Sequence, residues 1–253
     1  MLKNALVRTP SPELINGITR GKRDKADYQK ALQQHEQYQR LLVEQGISVT
    51  VLEANSSFPD SVFVEDVVVC TPKCAVITRP GVLQRREEIK GLENVLPPFY
   101  DEIKKIEAPG ILEGGDVLLA GSHCFIGISE RTNHAGADQL TAILQQQGIT
   151  ATTVPIKDML HLKTGVVYLE NNTLLVNSKY QDHPAFRSFN KITADTKEAS
   201  AANSLWINGT VIVPAGYPVT RSNLEDAGYK TVAVDISEFE KLDGGLTCLS
   251  IRF

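Results

Sequence analysis

The chain has 253 residues, 42% of them hydrophobic and 22% charged, with a net charge of −4. This is ordinary globular composition, enough for one large domain or two small ones, and it holds no basic run of the kind that tracks a phosphate backbone, which argues against a nucleic-acid partner. No apolar stretch approaches the ~20 residues that span a bilayer, residues 1–10 lack the apolar core of a secretory leader, and Cys70, Cys74, Cys124 and Cys248 match no zinc spacing, so a cytoplasmic protein with free thiols is expected.

The first helix is expected to start at Asp24 or Asp27, either of which can cap it, with Tyr28, Leu32, His35 and Leu42 roughly on one face. Gly46 is its stop, and the β-branched run at 47–52 follows as a strand. Short strands are expected at 67–69, 75–78, 103–106 and 117–119, with a further helix over 86–100. A second helix starting at Asn133 stops at Gly148 before a strand at 149–154. After a strand at 211–213, a third helix stops at Gly228 before a strand at 229–234. Helix, glycine stop and strand thus recur three times in an α/β chain, which points to a repeat architecture.

Each repeat is followed by a polar cluster: DSVFVED at 60–66, HLKTG at 161–165 and DGGLTC at 243–248, with LEGGD at 112–116 between the first two. Taken alone, Cys248 fits either a small buried hydrophobe or a nucleophile beside the glycine pair 244–245. His161 fits either a strand-entry histidine or a general acid/base, as do His35, His123, His134 and His183. Glu65 and Asp66 adjoin the apolar run 67–69, where their charges are costly unless compensated. A bound guanidinium, planar and permanently charged, would compensate them; a solvated strand end is the alternative. Arg85, after the turn at 79–81, and Arg131, before the second helix, are either surface arginines or grips for a carboxylate. Cys70, Cys74 and Cys124 read as structural.

Together these clusters, with TRPG at 78–81 and RTN at 131–133, resemble the dimethylarginine dimethylaminohydrolase family of guanidine-modifying proteins over nearly the whole chain and in the correct order. The resemblance implies a single catalytic domain over residues 1–253, built as an α/β propeller of five ββαβ modules (the pentein fold) with a central active site. Three or four modules are visible, and the fifth is expected near 184–193, where helical pattern is weak. The resemblance also implies roles. Cys248 would be the nucleophile, His161 the acid/base and Glu113 its orienter. Asp66, with Glu65 nearby, would bind the guanidinium. Asp60 and the backbone near Leu242 would take the α-ammonium, and Arg85 and Arg131 the α-carboxylate. Ile18 would sit on a lid, and the turn-rich, charged loop 10–23 suits such a segment. The implied reaction converts methylated arginine to citrulline with no metal or organic cofactor and leaves a homodimer open. An arginine deiminase is the nearest alternative, although its chains generally carry an extra helical domain. A non-catalytic binding protein of the same fold is the second.

Overall fold

The computed structural model describes residues 1–21 and 24–253. Strand β1 (Asn4–Arg8) leads through helix α1 (Tyr28–Glu44) to the parallel strand β2 (Ser48–Leu52), with Asn4 opposite Ser48 and Arg8 opposite Leu52. The α1 cap is Asp27, whose carboxylate accepts from the Lys30 N–H.

The next four modules share one plan: two antiparallel strands, a crossover, and a third strand parallel to the second. The second module is β3 (Val68–Cys70), β4 (Ala75–Ile77), helix α2 (Leu92–Val95) and β5 (Ile103–Lys105). The third is β6 (Val117–Ala120), β7 (His123–Ile128), α3 (His134–Gln145) and β8 (Thr150–Pro155). The fourth is β9 (Val166–Tyr168), β10 (Thr173–Val176) and β11 (Asn190–Thr193). The fifth is β12 (Leu205–Ile207), β13 (Thr210–Pro214), α4 (Pro218–Asp226) and β14 (Lys230–Val234). After α5 (Ser237–Glu240), the last strand β15 (Ile251–Arg252) pairs antiparallel with β1. Residues from the two ends of the sequence therefore complete the first sheet, and five three-stranded sheets result. This is the expected five-module α/β propeller.

The glycine stops behave alike: Gly46, Gly148 and Gly228 have φ of +81°, +76° and +89°, the left-handed region that ends a helix at little cost to glycine. The continuous helix expected over 86–100 does not form. A 3-10 turn at Leu83–Ile89 and the one-turn α2 replace it, separated by Gly91 and followed by Pro97 and Pro98, which cannot continue a helix. The weakly patterned 184–193 stretch belongs to the fourth module, where the 3-10 turns Ser178–Tyr180 and Pro184–Phe186 stand in for a helix before β11. Cys70 lies opposite Ala75 in the β3–β4 hairpin.

The middle strands carry the core: β13 and β10 are buried along their whole length, whereas β2 and β8 are largely exposed outer strands. The first strand of each sheet, β3, β6, β9, β12 and β15, faces the axis, and residues of all five line one axial cavity of about 850 Å³. Helix α1 buries Ala31, His35, Tyr38 and Leu42. The Tyr38 hydroxyl lies 3.1 Å from the Leu246 carbonyl, to which it can donate, and 2.6 Å from the Ser250 hydroxyl. The helix thereby braces the segment that holds Cys248. Among the described residues no helix is long and apolar enough to cross a membrane.

Candidate active site

The five inner strands enter the axis from the same end, each preceded by a short 3-10 turn or loop. Turn Val64–Val67 precedes β3, Gly114–Asp116 precedes β6, Leu162–Thr164 precedes β9, Asn203 and Ser204 precede β12, and Thr247–Leu249 precedes β15. The first turn packs against the second and the last, the second against the third, and the third against the 3-10 segment Thr196–Ala202 that leads to Asn203. Residues far apart in sequence thus meet at one level of the axis. Glu65, Asp66, Glu113, His161 and Cys248 all stand there.

His161 and Glu113 are both buried, and His161 Nε2 lies 2.7 Å from Glu113 Oε2. Glu113 Oε1 accepts the Gly81 N–H at 3.0 Å, and Arg131 Nη1 stands 3.4 Å from both carboxylate oxygens. Asp66 Oδ1 is 3.8 Å from His161 Nε2 and accepts the Gly115 N–H at 3.0 Å. Burial opposes charge on His161. The Asp66 charge, the Glu113 hydrogen bond and the Asp116 charge outweigh it and push the imidazole up to about 9. At neutral pH the ring is an imidazolium. Burial resists ionisation of Glu113 too, but His161 and the two arginines hold its carboxyl well below the usual range.

The close approach of ring and backbone needs glycine. A Cβ on Gly115 would lie 2.6 Å from His161 Nδ1 and 2.9 Å from Asp66 Oδ1, and one on Gly114 would meet the Glu65 carbonyl oxygen at 1.9 Å. The LEGGD motif is therefore a packing requirement as well as a source of carboxylates.

Asp66 and Glu65 are balanced from within. Arg85 Nη1 donates to Asp66 Oδ2 at 2.6 Å, while its Nε and Nη2 engage Glu88 and Nη2 also reaches the Asp60 and Phe63 carbonyls. Glu65 Oε1 accepts from Lys163 Nζ at 2.6 Å and Arg252 Nη2 at 2.8 Å. The alternative of a solvated strand end does not hold, since both carboxylates are buried and are met by three cations of the chain itself.

Cys248 is half-buried against the core formed by α1, Leu246 and Leu249. Burial, followed by the charges of Glu65 and Asp66, pushes its thiol up to about 12, so it is protonated at neutral pH. Asp60 is buried, and burial also raises its carboxyl despite the opposing charge of Arg85 and the Ile18 N–H.

The loop carrying Ile18 lies over this end. The Ile18 N–H donates to Asp60 Oδ1 at 3.0 Å, the Arg20 N–H donates to Asp243 Oδ2 at 2.7 Å, and the Arg20 guanidinium pairs with Glu130 at 2.7 Å. A Cβ on Gly17 would sit 3.0 Å from Asp60 Oδ1 and 3.2 Å from the buried Leu242 side chain. Of the expected lid, residues 10–23, Lys22 and Arg23 lie outside the described residues.

Two contributors were not assigned roles from sequence. Asp116 is fully buried, accepts the Leu162 N–H at 2.9 Å and the Ser129 hydroxyl at 2.6 Å, and so ties the LEGGD turn to the histidine turn. Its place in LEGGD was the available signal. Asn203, in no motif, carried none. Asp66, Glu113 and His161 each offer an atom within 4.8 Å of the others, close enough to share a metal ion. Two of the atoms a metal ion would need are already engaged, Asp66 Oδ1 by the Gly115 N–H and His161 Nε2 by Glu113 Oε2.

Comparison with known proteins agrees in sequence and shape. Residues 11–216 match the family described as N,N dimethylarginine dimethylhydrolase, eukaryotic. The chain is 46% identical to an N(G),N(G)-dimethylarginine dimethylaminohydrolase of Pseudomonas aeruginosa, covering 100% of both chains. It is 38% identical to the protein of the same name from Streptomyces coelicolor, covering 99% of this chain and 96% of that one. A solved structure of the Pseudomonas protein, a cysteine-to-serine variant in complex with citrulline, superposes with a TM-score of 0.98 at 45% identity over 100% of both chains. The N-terminal domain of a cyanobacterial arginine dihydrolase, 19% identical, shares the fold with a TM-score of 0.87, covering 98% of this chain and 96% of that one.

Proposed function

The chain belongs to the dimethylarginine dimethylaminohydrolase family, and from that premise we infer that it hydrolyses Nω-methylated arginine to citrulline and methylamine or dimethylamine. The observation that carries this reading is the 46% identity to a protein of that name along the full length of both chains. The roles below are proposed for this chain's own residues.

The substrate's guanidinium binds over Asp66, with Glu65 behind it. Burial and then the two carboxylates hold the Cys248 thiol up to about 12; the substrate's positive charge offsets the carboxylates, so binding itself favours the thiolate, the thiol proton passing to solvent. His161, already an imidazolium, is no base for that proton; it is the acid of the next step. The sulfur attacks the guanidinium carbon, and the C–S bond forms as the C=N π electrons move to nitrogen. The tetrahedral adduct collapses by breaking the bond to the methylated nitrogen, which takes the His161 proton and leaves as the amine. An S-alkylthiouronium on Cys248 remains. Neutral His161 then draws a proton from water as its oxygen attacks the same carbon; the C–S bond breaks with its electron pair going to sulfur, which takes the hydroxyl proton as the carbonyl forms, and citrulline departs from the restored thiol. Glu113 holds the imidazole in place throughout. Asp60 and the Leu242 backbone take the α-ammonium. Arg131, with only long contacts of 3.4 Å to Glu113, takes the α-carboxylate, and Arg85 adds its charge from beneath.

The proposal extends to one catalytic domain over residues 1–253, and to a homodimer in the cytoplasm that binds no nucleic acid; sedimentation tests the dimer. The function itself is tested by assaying dimethylarginine, monomethylarginine, arginine and agmatine side by side with citrulline as the readout. Turnover of the methylated substrates above arginine is expected. Turnover of arginine alone would place the chain with the deiminases, and no turnover with any of them would contradict the reading.

A further inference from the structure

Four of the five entry points around the axis supply groups already assigned to the chemistry: residues 65–66, 113–116, 161–163 and 247–248. The fifth, before β12, supplies Asn203, which is buried at 7% exposure. Its carboxamide spends every hydrogen-bonding group on the neighbouring turns. Nδ2 donates to the Lys163 carbonyl at 2.9 Å and to Thr247 Oγ1 at 3.2 Å, and Oδ1 accepts the Thr247 N–H at 2.9 Å. The chain of bonds then closes on itself. Thr247 Oγ1 donates to Glu65 Oε2 at 2.7 Å, and Glu65 Oε1 accepts from Lys163 Nζ at 2.6 Å. Each of the other three members lies within two residues of a reacting or binding group: Lys163 from His161, Thr247 from Cys248, Glu65 from Asp66. Backbone and side chain are fitted closely here, since a Cβ on Gly245 would lie 2.4 Å from the Asn203 carboxamide.

We propose that Asn203 is the positioning residue of the reaction: it closes a hydrogen-bonded ring, Lys163–Asn203–Thr247–Glu65, that fixes the nucleophile's turn relative to the acid's turn. The inference rests on Cys248 and His161 acting as nucleophile and acid. The Asn203 carboxamide bonds to Lys163 and Thr247 and, among the described residues, makes no hydrogen bond to the Cys248 sulfur, so as a residue that places the two turns its loss should affect the chemical step rather than substrate binding, which falls to Asp60, Asp66 and Arg131. A misplacement on the order of 1 Å costs about 10²-fold in rate.

The test uses Asn203→Asp, which keeps size and one acceptor but loses both donors, together with Thr247→Val and Thr247→Ser. The panel on the unaltered enzyme settles the underlying reading first. With dimethylarginine, Asn203→Asp and Thr247→Val should each lower kcat by about 10²-fold with KM within about threefold of the parent. Thr247→Ser, which keeps the hydroxyl, should retain most of the parent's kcat. The double variant Asn203→Asp with Thr247→Val should be little worse than either single one, because the ring is already open. Circular dichroism and a thermal melt on each variant establish that the assay temperature lies below unfolding. A kcat within about threefold of the parent in Asn203→Asp, or a loss in Thr247→Val that Thr247→Ser shares equally, overturns the proposal. So does a loss expressed in KM with kcat unchanged.

Discussion

Two buried histidines in this molecule have opposite protonation states. His35 on α1 and His161 at the axis are 1% and 4% exposed, respectively. Burial alone acts on His35, whose neighbours include Gln39 and the ring of Phe239, and lowers it to about 4. His161 meets the same penalty, but Asp66, Glu113 and Asp116 overcome it and raise it to about 9. At pH 7 one ring is neutral filler and the other is a charged acid. Burial does not make a histidine functional; the charges converging on it from two separate turns do.

The largest effect that sharpens this contrast is on turnover. His161→Ala should lower kcat by about 10²–10⁴-fold while the protein stays folded, and His35→Leu should leave kcat within about twofold. Steady-state kinetics with dimethylarginine check both, and a comparable loss in the two variants would erase the distinction. Next comes Gly115→Ala. Its methyl would collide with His161 Nδ1 and Asp66 Oδ1, at 2.6 and 2.9 Å. With both backbone and ring forced to shift, kcat should fall about 10²-fold. Full activity in that variant would mean that the imidazole does not rest where it is described.

The smallest effect is on stability, and the two histidines contribute with opposite sign. The folded value of His35 lies below its unfolded value of 6.5, so the unfolded chain takes the proton first and stability falls as pH drops from 6.5 toward about 4. Between pH 7 and pH 5 this amounts to about 2 kcal/mol. His161 lies above its unfolded value, so its contribution is complete below 6.5 and is lost as pH rises through about 9. Urea midpoints at pH 5 and pH 7 should converge in His35→Leu; an undiminished acid dependence in that variant would assign it to other groups.

What could be read from the sequence follows the range of the interactions. The Asp27 cap, the glycine stops at 46, 148 and 228 and the strands after them are local devices, and they lie where the pattern puts them. The fourth module was obscured because its crossover consists of 3-10 turns with no helical period. The first sheet was obscured because β15 comes from the far end of the sequence. At the site, the motifs picked out His161 and Glu113, which the structure brings to 2.7 Å of each other. The partners of Glu65 did not show, since Lys163 lies 98 residues away and Arg252 lies 187. Asn203 was invisible for a related reason: an asparagine outside any motif acquires meaning only when two other turns close around its carboxamide.

The central claim is that neighbouring carboxylates hold His161 protonated at the pH where the enzyme works. Imidazole NMR titration of the unliganded protein, with His161→Ala and His35→Leu used to assign the signals, measures this directly. The account predicts that the His161 ring stays doubly protonated until about pH 9 while the His35 ring stays neutral down to about pH 4. A His161 ring titrating near 6.5 or lower, and hence neutral at pH 7.5, would contradict it.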